Sequence, residues 1–324
     1  MTYHAPRAEL ATHTVYNQSE PLLGVNWFSG DAILSDAIRR AGGAVHVDRL
    51  SDFGARTGSE AVMEAGRLAN ENPPRFKPFD RYGHRVDEVE FHPAYHDLMT
   101  LGLEGGVSGA AWRADQAGHV LHAALLILHG HADAGTCCPL SMTYACVPAL
   151  RHADWTGEWI EKATACAYDA HARPAALKSG VTIGMAMTEK QGGSDVRANE
   201  TRATRIGDDE VLLTGHKWFC SAPMSDAFLT LAYEGEGEEK ALSCFLAPRW
   251  RPDGTRNAIE IQRLKDKLGD KSNASSEIEY RGAWAKRVGD PGRGVRTIIE
   301  MVNHTRLDCL AGSAGLIRGA AAHA

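Results

Sequence analysis

Long apolar runs are missing from this sequence. The longest, Ala123–Leu128, is six residues, against the roughly 20 that a membrane-spanning helix needs. A spanning helix is thereby excluded, and no membrane partner is expected. Met1–His13 is polar and carries no apolar stretch of the kind that directs secretion, so the chain reads as soluble and cytoplasmic. Clustered Lys and Arg are missing too: 35 basic residues face 41 acidic ones, for a net charge of −6. Counterion release from DNA needs such clusters, which argues against a DNA-binding surface within these residues. The seven cysteines are odd in number and scattered, with no C-x-x-C pair, which excludes a disulfide framework and a structural zinc site. They read as small buried apolar residues. Neither a G-x-G-x-x-G nor a P-loop spacing occurs.

What is present is an ordinary globular composition, with 44% apolar and 23% charged residues. A chain of 324 residues corresponds to about two domains. Helical periodicity runs through residues 1–176. The spacing predicts helices over Ala32–Arg40, Glu60–Leu68 and His92–Leu103, the last with Pro93 in its first turn. Further helices follow over Gly118–Ala134, Leu140–Leu150 and Trp155–Ala163. Asn70–Pro74 and Phe76–Tyr82 read as one long, turn-rich connection.

Across residues 177–290 the pattern changes to short β-rich runs. Val181–Met187, Glu210–Thr214, Ala227–Tyr233, Leu242–Ala247, Ala258–Gln262 and Glu277–Tyr280 predict six strands, separated by turns such as Glu234–Glu239. Their spacing fits a compact barrel or sandwich. After Gly294 the helical period returns and continues to the last residues, so residues 291–324 read as the first helix of a further, incomplete helical unit. Strands and helices do not alternate, which excludes a doubly wound nucleotide fold. The fold class is α+β.

Two segments carry chemistry. Met185–Asp195 begins as a strand and turns at Gly192-Gly193, where small residues let backbone N–H groups approach a ligand, with Thr188 and Ser194 adding hydroxyls. It suits an acceptor-rich planar cofactor; it equally suits a tight hairpin with a bulge. Gly215–Ala222 alternates Lys217, Phe219 and Ser221 against Trp218 and Cys220. Phe219 beside Ser221 would form a flat wall next to a hydroxyl, an arrangement shared with many core strands. The histidine pairs His92/His96, His119/His122 and His129/His131 lack a third ligand at suitable spacing, and no metal is expected. Glu189 and Asp195 read as residues that brace or cap the loop.

Together, Thr-Glu-x-x-x-Gly-Ser-Asp (Thr188–Asp195) and Gly-x-Lys-x-aromatic-x-hydroxyl (Gly215–Ser221) resemble the acyl-CoA dehydrogenase flavoprotein family. The wording is similar to its alkylation-response, AidB-type branch in Met187–Val196, Gly215–Phe219 and Arg263–Glu277, and again in Asn70–Phe76, Phe91–His96 and Thr305–Cys309. The resemblance covers essentially the whole chain. It implies a helical N-terminal domain (1–176), a middle β-domain with the flavin motifs (177–290) and the start of a C-terminal helical bundle (291–324). It further implies FAD, held by Met185, Met187, Thr188, Gly192, Gly193, Ser194, Phe219, Cys220 and Ser221, with Thr188 and Ser221 near the ring's pyrimidine edge and N5. Arg306 matches an arginine on the substrate side of the flavin; a salt-bridged helix residue is the alternative.

The activity implied is α,β-dehydrogenation of acyl-CoA, in a homotetramer linked to protection against DNA alkylation damage. Two alternatives are an ordinary catabolic dehydrogenase and a flavin- or DNA-associated protein without turnover. Three departures stand out. Lys190 occupies the place of the usual proline after Thr-Glu. Neither position where relatives carry the catalytic carboxylate is filled here, since one is Thr305 and the other lies in the late bundle, so no catalytic residue is assigned within this chain. Read as an N-terminal portion, the chain is expected to retain FAD weakly, and any DNA contacts would come from the C-terminal region.

Overall fold

A computed structural model describes residues 12–237 and 240–324; Met1–His13 and the turn Glu234–Glu239 therefore fall partly outside the described residues. The first part is mostly helical: α1 (Ala32–Arg40), α2 (Val47–Thr57), α3 (Glu60–Glu71), α4 (Pro93–Gly105), α5 (Ala110–Arg113), α6 (Gly118–Ala132), α7 (Ala134–Leu150) and α8 (Gly157–Ala163). Helix α1 starts where predicted because the Asp31 carboxylate accepts from the Ile33 and Leu34 amides at 3.0 Å, and it buries Leu34 and Ile38, one turn apart. Helix α4 has Pro93 at its start and stops at Gly106, whose φ of 93° only glycine adopts readily. Helix α2 escaped the periodicity reading. A larger correction concerns Asn70–Tyr82: the turn-rich connection is the start of an antiparallel hairpin, β1 (Arg75–Phe79) with β2 (Arg85–Glu90), so the first part is not all-helical.

Helices α6 and α7 form the centre. The single residue between them, Asp133, caps α7 by accepting from the Thr136 amide at 2.7 Å. Its buried carboxylate also takes the Ser272 hydroxyl at 2.8 and 2.9 Å and the Asn70 side-chain amide at 2.8 Å. One side chain thus ties α3, α7 and the segment after the strand over Ile259–Leu264. Replacing Asp133 by alanine strands these donors, and we expect a loss of about 3 kcal/mol in urea denaturation. A loss below about 1 kcal/mol would contradict this role.

The middle of the chain contains β3 (Ile183–Ala186), β4 (Arg202–Arg205), β5 (Glu210–Ser221), β6 (Ala227–Glu234), β7 (Ala241–Pro248), β8 (Ile259–Leu264) and β9 (Ser275–Val288). Seven strands replace the six predicted; short β4 was missed, and β5 and β9 are much longer than their apolar runs. Pairings run β6–β4–β5–β9–β7 and back to β6, closing a barrel, with β3 beside β6 and β8 beside β9. Closure buries Phe228, Phe245, Ile278 and Tyr280 and leaves few free strand edges. Helix α9 (Gly294–His323) returns across α6 and α7, burying Ile298, Met301, Asp308 and Gly315. Its Arg318 grips Asp31 with two bonds of 2.7 Å, joining the end of α9 to the start of α1. No helix among the described residues is long and apolar enough to cross a membrane.

Candidate functional site

The turn-rich segment after β3 is held by an ion pair with no solvent exposure on either side chain, Lys217 Nζ to Glu189 Oε1 at 2.8 Å. Glu189 also accepts from the Glu200 amide (2.7 Å) and the Thr201 hydroxyl (2.6 Å), while Lys217 donates to the Leu231 carbonyl at 2.9 Å. Burial alone would raise the Glu189 pKa, but Lys217 and the N–H and O–H donors outweigh it and hold the carboxyl at about 2. Burial pushes the Lys217 ammonium down from its usual value. Glu189 therefore braces the loop, and Asp195 caps the short turn Val196–Ala198 through the Arg197 amide at 3.1 Å.

The same loop is fastened to β5. The Trp218 amide donates to the Thr188 carbonyl at 2.8 Å, and the Lys190 amide donates to His216 Nε2 at 2.9 Å. Between Lys217 and Cys220 the pairing of β5 with β9 shifts register: Lys217 faces Ile278 and Cys220 faces Ser276. Trp218 and Phe219 thus oppose the single residue Glu277, and the one extra residue makes a bulge. This corrects the simple alternation predicted for Lys217–Ser221. Lys217 and Cys220 are both fully buried, and Phe219 is turned out with 46% of its surface exposed. Lys265 from the segment after β8 lies 3.3 Å from the centre of the Trp218 ring and bonds Glu277 at 2.8 Å, covering the bulge.

Phe219, Ser221 and Met185 form one wall of a cleft of about 480 Å³, with α7 (Cys138, Ser141, Met142) and α9 (Thr305, Asp308, Cys309) opposite. The Ser221 hydroxyl lies 3.1 Å from that of Ser275. Burial raises the Cys138 thiol, tempered by a hydrogen bond with Ser221. Asp308 is the buried carboxyl of this cleft. It accepts from the Ser141 hydroxyl at 2.5 Å and meets His122 Nε2 at 2.8 Å. His122 Nδ1 lies 2.6 Å from the Val107 carbonyl. A carbonyl only accepts, so Nδ1 carries a hydrogen, and one proton must be shared between Nε2 and Asp308.

The residues singled out in the sequence fall into three groups. Met185, Phe219 and Ser221 line the cleft. Met187, Thr188, Gly192, Gly193 and Ser194 belong to the adjoining loop, where the Met187 carbonyl accepts from Asn199 at 3.1 Å and the Glu189 carbonyl accepts the Gly192 amide. The Cys220 side chain points instead into the barrel core, where burial lifts its thiol to about 12, and its carbonyl accepts from the Ser276 hydroxyl at 3.1 Å. Arg306 is exposed and does not line the cleft; Thr305, one residue before it, and Asp308, two residues after it, do the lining. Histidines of the three pairs take hydrogen-bond partners within the fold. His96 and His119 bond the hydroxyls of Tyr168 and Tyr144, and His129 bonds Thr136.

Sequence reasoning missed the Asp308–His122–Ser141 cluster. Its signal was the buried face of the final helix, but the three residues lie up to 186 positions apart.

Residues 17–170 match the model of the adaptive response protein AidB N-terminal domain, and residues 184–283 match the acyl-CoA dehydrogenase middle domain. The AidB protein of Escherichia coli is 44% identical over 317 residues, covering 95% of this chain and 57% of that protein. The chain belongs to the acyl-CoA dehydrogenase family, AidB branch. Acyl-CoA dehydrogenase family member 11 of Caenorhabditis elegans is 35% identical over 94% of this chain and 51% of its own length. A crystal structure of that ACDH-11, in complex with C11-CoA, superposes with a TM-score of 0.82 at 29% identity, covering 97% of this chain and 54% of that one. The chain therefore spans about half the length of the curated relatives it matches. The resemblance read from the loop and strand motifs holds, as does the mixed α+β fold.

Binding of FAD is a general property of this family, and the residues present fit a flat ring of that kind. A Cβ on Gly193 would come within 2.6 Å of Thr188 Oγ1, so the loop closes this tightly on its own hydroxyl only with glycine. Thr188 Oγ1 makes no hydrogen bond among the described residues, and the exposed Phe219 face adjoins Ser221 in the cleft.

Proposed function

We propose that this chain provides the flavin-binding wall and part of the acyl pocket of an AidB-type acyl-CoA dehydrogenase-like protein. The observation that carries this reading is the cleft in which exposed Phe219, Ser221 and Met185 face α7 and α9. In it, Phe219 offers a stacking surface, while Thr188, Ser194 and Ser221 offer hydroxyls to the ring's heteroatoms. Bound FAD would supply hydride acceptance. Leu126, Met142 and Leu316 supply an apolar lining suited to an acyl chain, and C11-CoA is the ligand in the ACDH-11 complex. The link to protection against DNA alkylation, homotetramer assembly and a cytoplasmic location belong to the same reading and rest on kinship to AidB.

A second reading, binding without turnover, is favoured by one observation. Asp308, the buried carboxyl of the cleft, is already engaged by Ser141 and His122, and the nearby family position is Thr305. Flavin titration tests the first reading. We expect saturable FAD binding by the 324-residue chain, weakened about tenfold in Phe219→Ala, a loss of about 1.4 kcal/mol of stacking. Anaerobic mixing of the FAD-loaded protein with acyl-CoA of several chain lengths separates the two readings, since bleaching requires turnover. Absence of FAD binding, or equal binding by Phe219→Ala, would sink the proposal.

A further inference from the structure

We propose that a second cleft, sharing no lining residue with the flavin cleft, binds a planar heteroaromatic ring carrying phosphate, the chemistry of a nucleotide. This cleft lies between α8 and the barrel and has a volume of about 360 Å³, within the range of small-molecule sites. Four of the chain's seven tryptophans converge on it: Trp155, Trp159, Trp250 and Trp284. They come from four separate segments, namely the turn before α8, α8 itself, the turn after β7, and β9. All four are only half-buried, unlike the fully buried aromatics of the barrel core. Indole faces left accessible in a concave site are stacking surfaces for flat rings.

Charge decides the rest of the ligand. The three carboxylates lining the cleft are each engaged: Glu158 by Lys162 at 2.9 Å, Asp226 by Lys178 at 2.7 Å, and Glu210 by the Trp284 indole N–H at 3.2 Å. The two remaining cations, Arg251 and Lys286, form no ion pair among the described residues. Lys286 Nζ sits 4.9 Å from the Trp155 ring centre. Arg251 projects from a tight turn closed by the Thr255 carbonyl (2.8 Å) and by Gly254, whose φ is +81°. Glu210, opposite Lys286 across the β5–β9 pairing, keeps its charge, so two cations without an ion pair stand against one such carboxylate, and this net positive lining beside four indoles suits an anion attached to a ring.

The chemistry could come from a free mononucleotide or from the nucleotide end of CoA or FAD. Calorimetric titration of the 324-residue chain with AMP, CoA, FAD, adenosine and inorganic phosphate distinguishes these sources. We expect saturable AMP binding, at least tenfold weaker for adenosine, and at least tenfold weaker in Arg251→Ala/Lys286→Ala with an unchanged melting temperature. Trp250→Leu should weaken AMP similarly, and it serves as a second variant should the double one fold poorly. CoA or FAD binding that depends on Arg251 and Lys286 without AMP binding would assign the site to the larger cofactor's nucleotide end. CoA or FAD binding that depends on Phe219 alone belongs to the flavin cleft. If no nucleotide-bearing ligand binds in an Arg251- and Lys286-dependent way, or if adenosine matches AMP, the proposal is overturned.

Discussion

Replacing Asp308 by alanine will cost the chain about 3 kcal/mol of stability, because two buried groups lose their partner at once. His122 Nε2 and the Ser141 hydroxyl both end on the Asp308 carboxyl. The His122 ring cannot turn to find another partner, since Nδ1 is committed to the Val107 carbonyl and the ring is stacked 3.4 Å over Tyr144. Asparagine should behave very differently. Its amide N–H₂ can donate to a neutral Nε2 while its carbonyl accepts from Ser141, so every partner stays satisfied. We therefore expect Asp308→Asn within about 1 kcal/mol of the parent. Urea denaturation of the three proteins checks both statements. An alanine variant as stable as the parent would show that the cluster does not hold α9 against α6 and α7.

The Lys217–Glu189 pair carries the second large effect. Lys217→Met leaves the Glu189 carboxylate buried without its cation, a change that typically costs about 3–5 kcal/mol. Glu189→Leu should cost a similar amount, by stranding the ammonium and the Thr201 and Glu200 donors. The double variant Lys217→Met/Glu189→Leu is expected to be far less destabilised than the sum of the two. Paired apolar substitutes remove the desolvation cost of both charges together. A double-mutant cycle by chemical denaturation reads this coupling, and additive losses would contradict it. The pH dependence follows with a definite sign. The Glu189 carboxyl is depressed from 4.5 to about 2 in the folded chain. Its contribution is thus complete above about 4.5 and is lost as the pH falls toward 2. That acid-side slope should be shallower in any variant lacking Glu189.

Much of this architecture was legible because its signals are local. The apolar spacing of Ala32–Arg40 and Pro93 at a first turn mark helices through local periodicity and φ preference that need no distant partner. The order of helices, strands and a final helix was legible for the same reason. The hairpin of β1 and β2 was not, because Arg75–Phe79 is short, flanked by Pro73-Pro74 and interrupted by Pro78, and it becomes a strand only by pairing with Arg85–Glu90. Strand β4, four residues long, likewise exists by virtue of its neighbours β5 and β6.

By itself, then, the sequence determined the family, the α+β order and the two motifs on which the flavin reading rests. Which side chains meet in the cleft was decided only by tertiary structure. A bulge on β5 moved Lys217 to the same buried side as Cys220 and turned Phe219 outward, because a shift of one residue in pairing reverses every face that follows it. On α9, Arg306 and Asp308 lie on nearly opposite faces, about 160° apart, and the helix's rotation about its axis chose Asp308 over Arg306 for the cleft. That rotation is set by how Ile298, Met301 and Gly315 seat against the neighbouring helices and barrel, a packing outcome that no local spacing encodes.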